Sequence, residues 1–250
     1  MPTLKEEGKQ DEFGFIVLAD GSVGPFYTSL GDSLSSLHRR TTEVDCSGKD
    51  PIDLALKLGD GRLHSGALAL GAVNAISQFL MHRAGFDPTV ATVETVLPEP
   101  NDSIGMVGFF GPVVERYLAR GCRITVVEKK PERVPIELGI EVSTNPAALR
   151  GCDHIVCTAS TLINNTLEEI LGNLSQDSTV NLMGPSASCL PDPLFARGID
   201  LVGGILIDDP ECLRRAMILG DSWGCCGKKY QLSAEHYPGV EALLASIEQV

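Results

Sequence analysis

From residue 104 onward, short apolar runs alternate with segments of helical periodicity. The apolar runs lie at 104–110, 123–128, 154–158, 179–183 and 201–207, with a shorter one, "GIEVST", at 139–144. The helical segments lie at 112–120, 146–150, 166–174, 191–196 and 210–218, and "GVEALLASIEQV" forms a last helix. Strands that are apolar at consecutive positions are typical of a sheet covered by helices on both faces. The pattern therefore predicts a parallel α/β sheet with right-handed crossovers.

The first third of the chain predicts a small α+β unit. "FGFIVL" and "VGPFYT" flank the turn "ADGS" and predict a β-hairpin. A short helix is expected from Pro51, with Asp50 as its N-cap, and a long helix follows in "GRLHSGALALGAVNAISQFLMHRAG", ended by Gly85. The long helix is rich in small residues, so it is expected to be buried between layers or domains. Asn74 in its middle is either a core amide bonded to a neighbouring loop or an amide presented to a ligand.

The stretch "TVLPEPNDS", residues 95–103, contains two prolines and separates the helical region from the alternating one. Such a stretch is typical of a domain boundary. We therefore expect a small α+β domain over residues 1–98 and an α/β domain over residues 102–250.

Composition narrows the class of protein. Apolar residues make up 43% of the 250 positions and charged residues 21%, as in ordinary globular proteins. No run reaches the roughly 18–20 apolar residues of a membrane span, and no secretory signal is visible at the N-terminus, so a cytoplasmic protein is expected. The net charge of −13 argues against a nucleic-acid partner. An assembly of identical chains remains open.

The eight cysteines and five histidines show none of the spacings of a strong zinc signature. Cys122, Cys152, Cys157 and Cys212 lie in or beside apolar runs and are expected to be buried thiols. Cys225 and Cys226 differ, because they lie side by side between glycines in "SWGCCGKKY", residues 222–230, where no helix or strand pattern is clear. They are either packing residues or soft ligands for a transition metal or for redox chemistry.

Small polar residues follow several of the predicted strands. In an open parallel sheet, ligands bind beyond the carboxyl ends of the strands. The residues expected there are Gly108, Phe109, Phe110, Gly111, Pro112, Glu128, Ser160, Thr161, Asn164, Gly184, Pro185 and Ser186. Hydroxyls and backbone N–H groups bind anions and polar ligands well, but they are poor general acids or bases.

The turn after the first of these strands departs from a dinucleotide fingerprint. Glu128 falls 20 residues after Gly108, where a ribose-binding acid is expected. The glycines, however, are spaced GxxGxxG, and Phe109 stands where a middle glycine would admit the pyrophosphate. NAD is therefore not expected. A purely structural turn and a different small ligand both remain open.

With these residues assembled, the chain resembles the family named for putative heavy-metal chelation. The resemblance lies mainly in "VGFFGPVVERYLARGCRITVVEKKPER", "CDHIVCTASTLINNTLEEIL" and "GPSASCLPDPLFARGIDLVGGILIDDPECLRRA", with "DGSVGPFYT" and "LALGAVNA" matching in the first third. It implies an enolase-N-terminal-like domain followed by a Rossmann-like domain, with a cleft between them that handles a metal or a metal chelate. Asn74 and the strand-end residues named above would line that cleft.

The sequence thus predicts a cytosolic two-domain protein that binds a small polar or metal-chelating ligand in the interdomain cleft, with Cys225 and Cys226 as candidate metal ligands. Two alternatives remain. One is an enzyme that acts on a nucleotide-like or amino-acid-derived substrate in the same cleft, using Glu128, Asp208 or Lys228. The other is a cofactor-free interaction protein.

Overall fold

The computed structural model describes residues 12–31, 46–94 and 97–248, and contains a two-stranded and a seven-stranded sheet. The small sheet is the predicted hairpin, with antiparallel strands β1 (Phe13–Val17) and β2 (Val23–Tyr27). The large sheet contains β3 (Ser103–Val107), β4 (Arg123–Val127), β5 (Glu141–Ser143), β6 (His154–Thr158), β7 (Thr179–Met183), β8 (Leu201–Ile207) and β9 (Gly227–Ser233).

The large sheet has the order β5-β4-β3-β6-β7-β8-β9, and all its neighbours are parallel except β8 and β9. The predicted parallel α/β fold is confirmed. Strands β4 and β5 are added on one side of β3, and β6, β7 and β8 are added on its other side, so the topological switch point lies between β3 and β6. No strand was expected at 222–230, and this interpretation was wrong for the end of that segment, because β9 begins at Gly227. Its second and third residues, Lys228 and Lys229, are exposed at the sheet edge, whereas Tyr230 and Leu232 are buried.

The described helices are α1 (Pro51–Ala55), α2 (Leu63–Arg83), α3 (Gly111–Ala119), α4 (Ser160–Ile163), α5 (Leu167–Leu171), α6 (Asp192–Phe195), α7 (Pro210–Leu219) and α8 (Val240–Glu248). Asp50 caps α1 as predicted, since its carboxylate accepts from the N–H of Ile52 at 2.8 Å. The helix expected at 146–150 is a 3-10 turn, Pro146–Leu149. In the part of the chain that the structure describes, no helix has the length and apolar character that a membrane crossing needs.

Helix α2 is buried between the hairpin and the large sheet. Every residue from 65 to 72 is buried, and a Cβ added at Gly71 would overlap the ring of Phe26. Gln78 joins the two sheets, because its amide nitrogen donates to Ile207 O at 2.7 Å and its amide oxygen accepts from Val23 N–H at 3.1 Å. The expectation that small residues make this a helix between layers is confirmed.

Two segments follow α2 along the surface of the large sheet. Residues 92–93 run beside β9, where Val93 N–H donates to Gln231 O at 2.8 Å and Gln231 N–H donates to Thr92 Oγ1 at 2.8 Å. Within the predicted boundary, residues 95–96 lie outside the described ranges. Pro98 is buried, and its carbonyl accepts from Arg120 Nε at the end of α3 at 2.9 Å, so this part of the segment is tied to α3. The division into two domains stays a prediction.

Candidate functional site

The carboxyl ends of the parallel strands form the edge at which ligands were expected. Strands β3 and β6 are neighbours, but the chain leaves them in opposite directions, so a crevice is expected between their ends. The turn that begins at Gly108 follows β3, and the turn that leads to Ser160 follows β6.

Gly108 has a left-handed backbone conformation and lies too close to Thr158 for a larger residue to fit easily. Its φ of +80° lies in the left-handed region, and a Cβ there would come within 3.0 Å of Thr158 Cγ2. Phe109 and Phe110 are half-buried and pack against the core cluster that contains Met106 and Val126. Their rings therefore hold the turn on the sheet, and Gly111 and Pro112 continue into the first turn of α3.

Both carboxylate oxygens of Glu128 accept hydrogen bonds from nearby backbone N–H groups. Its Oε2 accepts from Phe109 N–H at 3.2 Å, and its Oε1 accepts from Lys130 N–H at 3.0 Å. The acid that matched the ribose-binding position in sequence therefore ties the Gly108 turn to the end of β4.

Two cations beside Glu128 were missed from the sequence. Arg133 ends the 3-10 turn Pro131–Arg133, and its guanidinium interacts with the hydroxyl of Tyr27 on the hairpin. The nearby Tyr27 hydroxyl is the main reason that the pKa of Arg133 lies above its usual value, and the charges of Glu128 and Glu12 add to the effect. Both Lys129 and Arg133 are exposed. The available signal was the basic run "EKKPER" directly after an apolar strand.

The residues after β6 divide between this surface and the interior. Ser160 is half-buried, and its Oγ accepts from Thr158 Oγ1 at 3.1 Å. Thr161 is only 2% exposed and donates to Thr158 O at 2.7 Å, so its hydroxyl faces inward. Asn164 is half-buried, and with its amide nitrogen toward Thr161 O, its amide oxygen accepts from Lys129 Nζ at 3.2 Å. We call Gly108, Glu128, Lys129, Arg133, Ser160 and Asn164 the open edge.

At the end of β7, the predicted site residues bond to one another across the two sheets. Asn74 is 0% exposed, and its amide nitrogen donates to Pro25 O at 2.7 Å and to Ser186 O at 3.0 Å. Ser186 is also buried, and its Oγ accepts from Tyr27 N–H at 2.9 Å. Asn74 Oδ1 has no hydrogen-bond partner among the described residues. We call this set of contacts the seam, and it supports the core role for Asn74.

Gly184 and Pro185 shape the loop that carries the seam. Gly184 has a φ of +123°, which favours glycine, and donates to Gly203 O at 3.0 Å. The carbonyl of Pro185 accepts from Ser188 Oγ at 2.7 Å. The structure thus brings all the predicted strand-end residues to one edge of the sheet, but those after β7 hold the hairpin in place.

A third region lies beyond the carboxyl end of β8. Cys212, on α7, and Cys226, just before β9, form a disulfide, and Cys225 is exposed beside it. The three sulfur atoms lie within 4.8 Å of one another, and we call these residues the cysteine cluster. The expectation of a buried free thiol at Cys212 was wrong, because folding brings it to a partner 14 residues away. Cys122, Cys152 and Cys157 are buried free thiols, as expected.

The loop around this cluster contacts the hairpin. Trp223 packs edge-on against Phe13 and Phe15, with ring centroids 5.4 and 5.0 Å away. Lys228 pairs with Asp208 at 2.9 Å, so these two candidate acid–base residues neutralise one another beside the cluster.

The family model described as "Putative heavy-metal chelation", DUF364, matches residues 91–234. The chain belongs to the DUF364 family. Similar solved structures come from Desulfitobacterium hafniense, with 18% identity and a TM-score of 0.67, and from Pyrococcus horikoshii, with 20% identity and a TM-score of 0.68. The alignments cover 89% of this chain in both cases, and 87% and 88% of the respective relatives.

Both relatives are described as DUF364 proteins of unknown function, so they show the fold alone. No curated protein matches the chain. The family resemblance inferred from sequence is confirmed, and so is the fold class, a mostly parallel seven-stranded sheet accompanied by a small antiparallel sheet.

Proposed function

We propose that the protein binds a small anionic chelator, or its metal complex, at the open edge. The observation that carries this proposal is the placement of two cations, Lys129 and Arg133, at the strand ends of a chain whose net charge is −13. The hydroxyl of Tyr27, on the hairpin, lies beside Arg133, and Ser160 follows β6 at the same end of the sheet.

The chemistry of the open edge fits carboxylate or phosphate groups. A guanidinium can donate two parallel hydrogen bonds to one carboxylate, and a lysine supplies a second positive charge. Helix α3 begins at the same edge, so the positive end of its dipole adds to the attraction. None of the open-edge residues is a Cys or His, so a soft metal bound here would take its ligands from the chelator itself. The family's description, putative heavy-metal chelation, motivates the choice of a metal complex as the ligand.

Calorimetric titration of the full chain with citrate and with zinc citrate tests the proposal. Each charge-assisted hydrogen bond contributes about 1.5–3 kcal/mol, so a Lys129→Gln, Arg133→Gln double variant should bind about tenfold or more weakly. The matched control is Arg123→Gln, Arg150→Gln, which removes the same charge at the amino ends of β4 and β6.

Retained affinity in the control and lost affinity in the open-edge variant would support the proposal. An equal loss in both would reduce the effect to net charge, and no binding of either probe to the wild type would overturn this choice of ligand class.

A further inference from the structure

We propose that the cysteine cluster is a soft-metal site that forms only when the Cys212–Cys226 disulfide is reduced. The site is separate from the open edge and shares no residue with it. It would bind one thiophilic cation, such as Zn²⁺ or Cu⁺, through the sulfurs of Cys212, Cys225 and Cys226.

The positions of the three sulfurs fit such an ion. They lie within 4.8 Å of one another, whereas tetrahedral coordination with zinc–sulfur bonds of about 2.3 Å requires sulfurs roughly 3.8 Å apart. Once the disulfide opens, its two sulfurs must move apart and the Cys225 sulfur must move about an ångström closer, and rotation of the three side chains can supply both movements. Three thiolates form a soft donor set, which selects Zn²⁺ or Cu⁺ over Mg²⁺ or Ca²⁺.

The backbone holds these three residues together without the disulfide. Cys212 N–H donates to the carboxylate of Asp209, which caps α7, at 2.8 Å. The N–H of the same Asp209 donates to Cys226 O at 3.3 Å. On the other side, Cys226 N–H donates to Trp223 O at 2.9 Å, and the Trp223 ring packs on the hairpin. One aspartate thus joins the helix to the turn, so the three sulfurs should stay close after reduction.

The position of Cys225 distinguishes this cluster from an ordinary structural disulfide. A structural disulfide needs only two cysteines, and here a third, exposed thiol lies beside the bond. Cys226 is 0% exposed, so the ion would lie between a buried sulfur and a solvent-facing one, with its fourth position open to water or a small ligand.

Oxidation and metal binding exclude each other in this arrangement. A dithiol reductant supplies two electrons and two protons, the S–S bond breaks, two thiols form, and the reductant becomes a disulfide. The cation then binds the thiolates and displaces their protons to solvent. In the oxidised state two of the three sulfurs are bonded to each other, and Cys225 alone cannot hold the ion.

The test measures Cd²⁺ binding to the full chain, prepared reduced under anaerobic conditions and, in parallel, after oxidation. Bound metal per chain and the ultraviolet thiolate-to-metal absorption band are both recorded. The reduced chain should bind about one ion, and the oxidised chain should bind about a tenth of an ion or less.

The decisive variant is Cys225→Ser, because it removes an exposed ligand and leaves the disulfide partners in place. Its reduced form should bind Cd²⁺ more than about a hundredfold more weakly, since losing a ligand exceeds the roughly 10–100-fold effect of losing a second-shell partner. Alkylation and mass measurement should show that it still forms the Cys212–Cys226 bond. Cys46→Ser is the matched control and should bind as wild type does.

Binding that is equal in the reduced and oxidised chains would overturn the proposal. So would a Cys225→Ser variant with wild-type affinity. Neither result bears on the titration of the open edge with metal-free citrate, so the two proposals can fail separately.

Discussion

The seam and the open edge both contain small polar residues at the same edge of one sheet, but they differ in how far these residues are buried. At the seam, Asn74 and Ser186 satisfy backbone groups of the hairpin and of the β7 loop, and both side chains are buried. At the open edge, Ser160 and Asn164 stay half-buried beside two exposed cations. The difference shows that small polar residues at strand ends do not by themselves mark a ligand site. The proposed ligand site therefore rests on the two cations that remain exposed and not on the small polar residues.

Breaking the seam should have the largest effect on stability. Asn74→Ala removes the donor to two buried carbonyls, Pro25 O and Ser186 O, and an unsatisfied buried group costs about 1–3 kcal/mol. We expect the free energy of unfolding in urea to fall by about 2–5 kcal/mol. The control is Asn173→Ala, whose amide bonds Glu169 O on the surface and whose loss should matter little. A seam variant no less stable than this control would contradict the core role of Asn74.

The pH dependence of stability should reflect a buried thiol next to the seam. Cys189 follows the seam loop, and burial raises the pKa of its thiol to about 11. Because the unfolded thiol titrates near 8.5, its contribution is fully present below that pH and is lost as the pH rises toward 11. Cys189→Ala should therefore flatten the fall of unfolding free energy over this window by up to about 1.4 kcal/mol per pH unit. Urea unfolding of the variant and of the wild type over this pH window measures the slope, and equal slopes would contradict the prediction.

The two glycines of the turn after β3, Gly108 and Gly111, should respond differently to the same substitution. Gly108→Ala places a Cβ against Thr158 at a φ of +80° and should destabilise the protein by about 1–2 kcal/mol. At Gly111 the Cβ would meet only the Phe109 ring, at 3.7 Å, so Gly111→Ala should change stability by less than about 0.5 kcal/mol. Chemical denaturation of the pair measures this, and equal losses would show that the strain assigned to Gly108 is absent.

The smallest stability change is expected from the cations. Arg133 is exposed and its ion pair with Glu12 is 3.6 Å long, so Arg133→Gln should alter the unfolding free energy by less than about 0.5 kcal/mol while it weakens citrate binding. A thermal melt of this variant beside the wild type provides the comparison. A loss as large as that of the seam variant would make Arg133 a structural residue instead.

The sequence pattern correctly predicted the features that depend on residues close together in the chain. The parallel strands are apolar along their length because helices cover them, and Asp50 caps its helix through a contact two residues away. The seam could not be predicted, because Asn74 and Ser186 are 112 residues apart and only the packing of the hairpin brings them together. Arg133 was missed for a related reason. Only the tertiary fold places Tyr27 of the hairpin beside the exposed Arg133, and the sequence pattern around Arg133 does not show this contact.

The contact between residues 92–93 and β9 has a consequence for how the chain can be divided. Strand β9 is the last strand of the large sheet, and Thr92 and Val93 occupy both backbone groups of Gln231 on its outer side. They act as a cover on an edge that would otherwise offer hydrogen-bonding groups to another molecule. A chain shortened to begin at residue 102, where the second domain was predicted to start, would lose that cover. Stronger self-association of that chain in light scattering than of one that begins at residue 88 is the expected sign that the edge has been uncovered, since both chains lack the hairpin and α2.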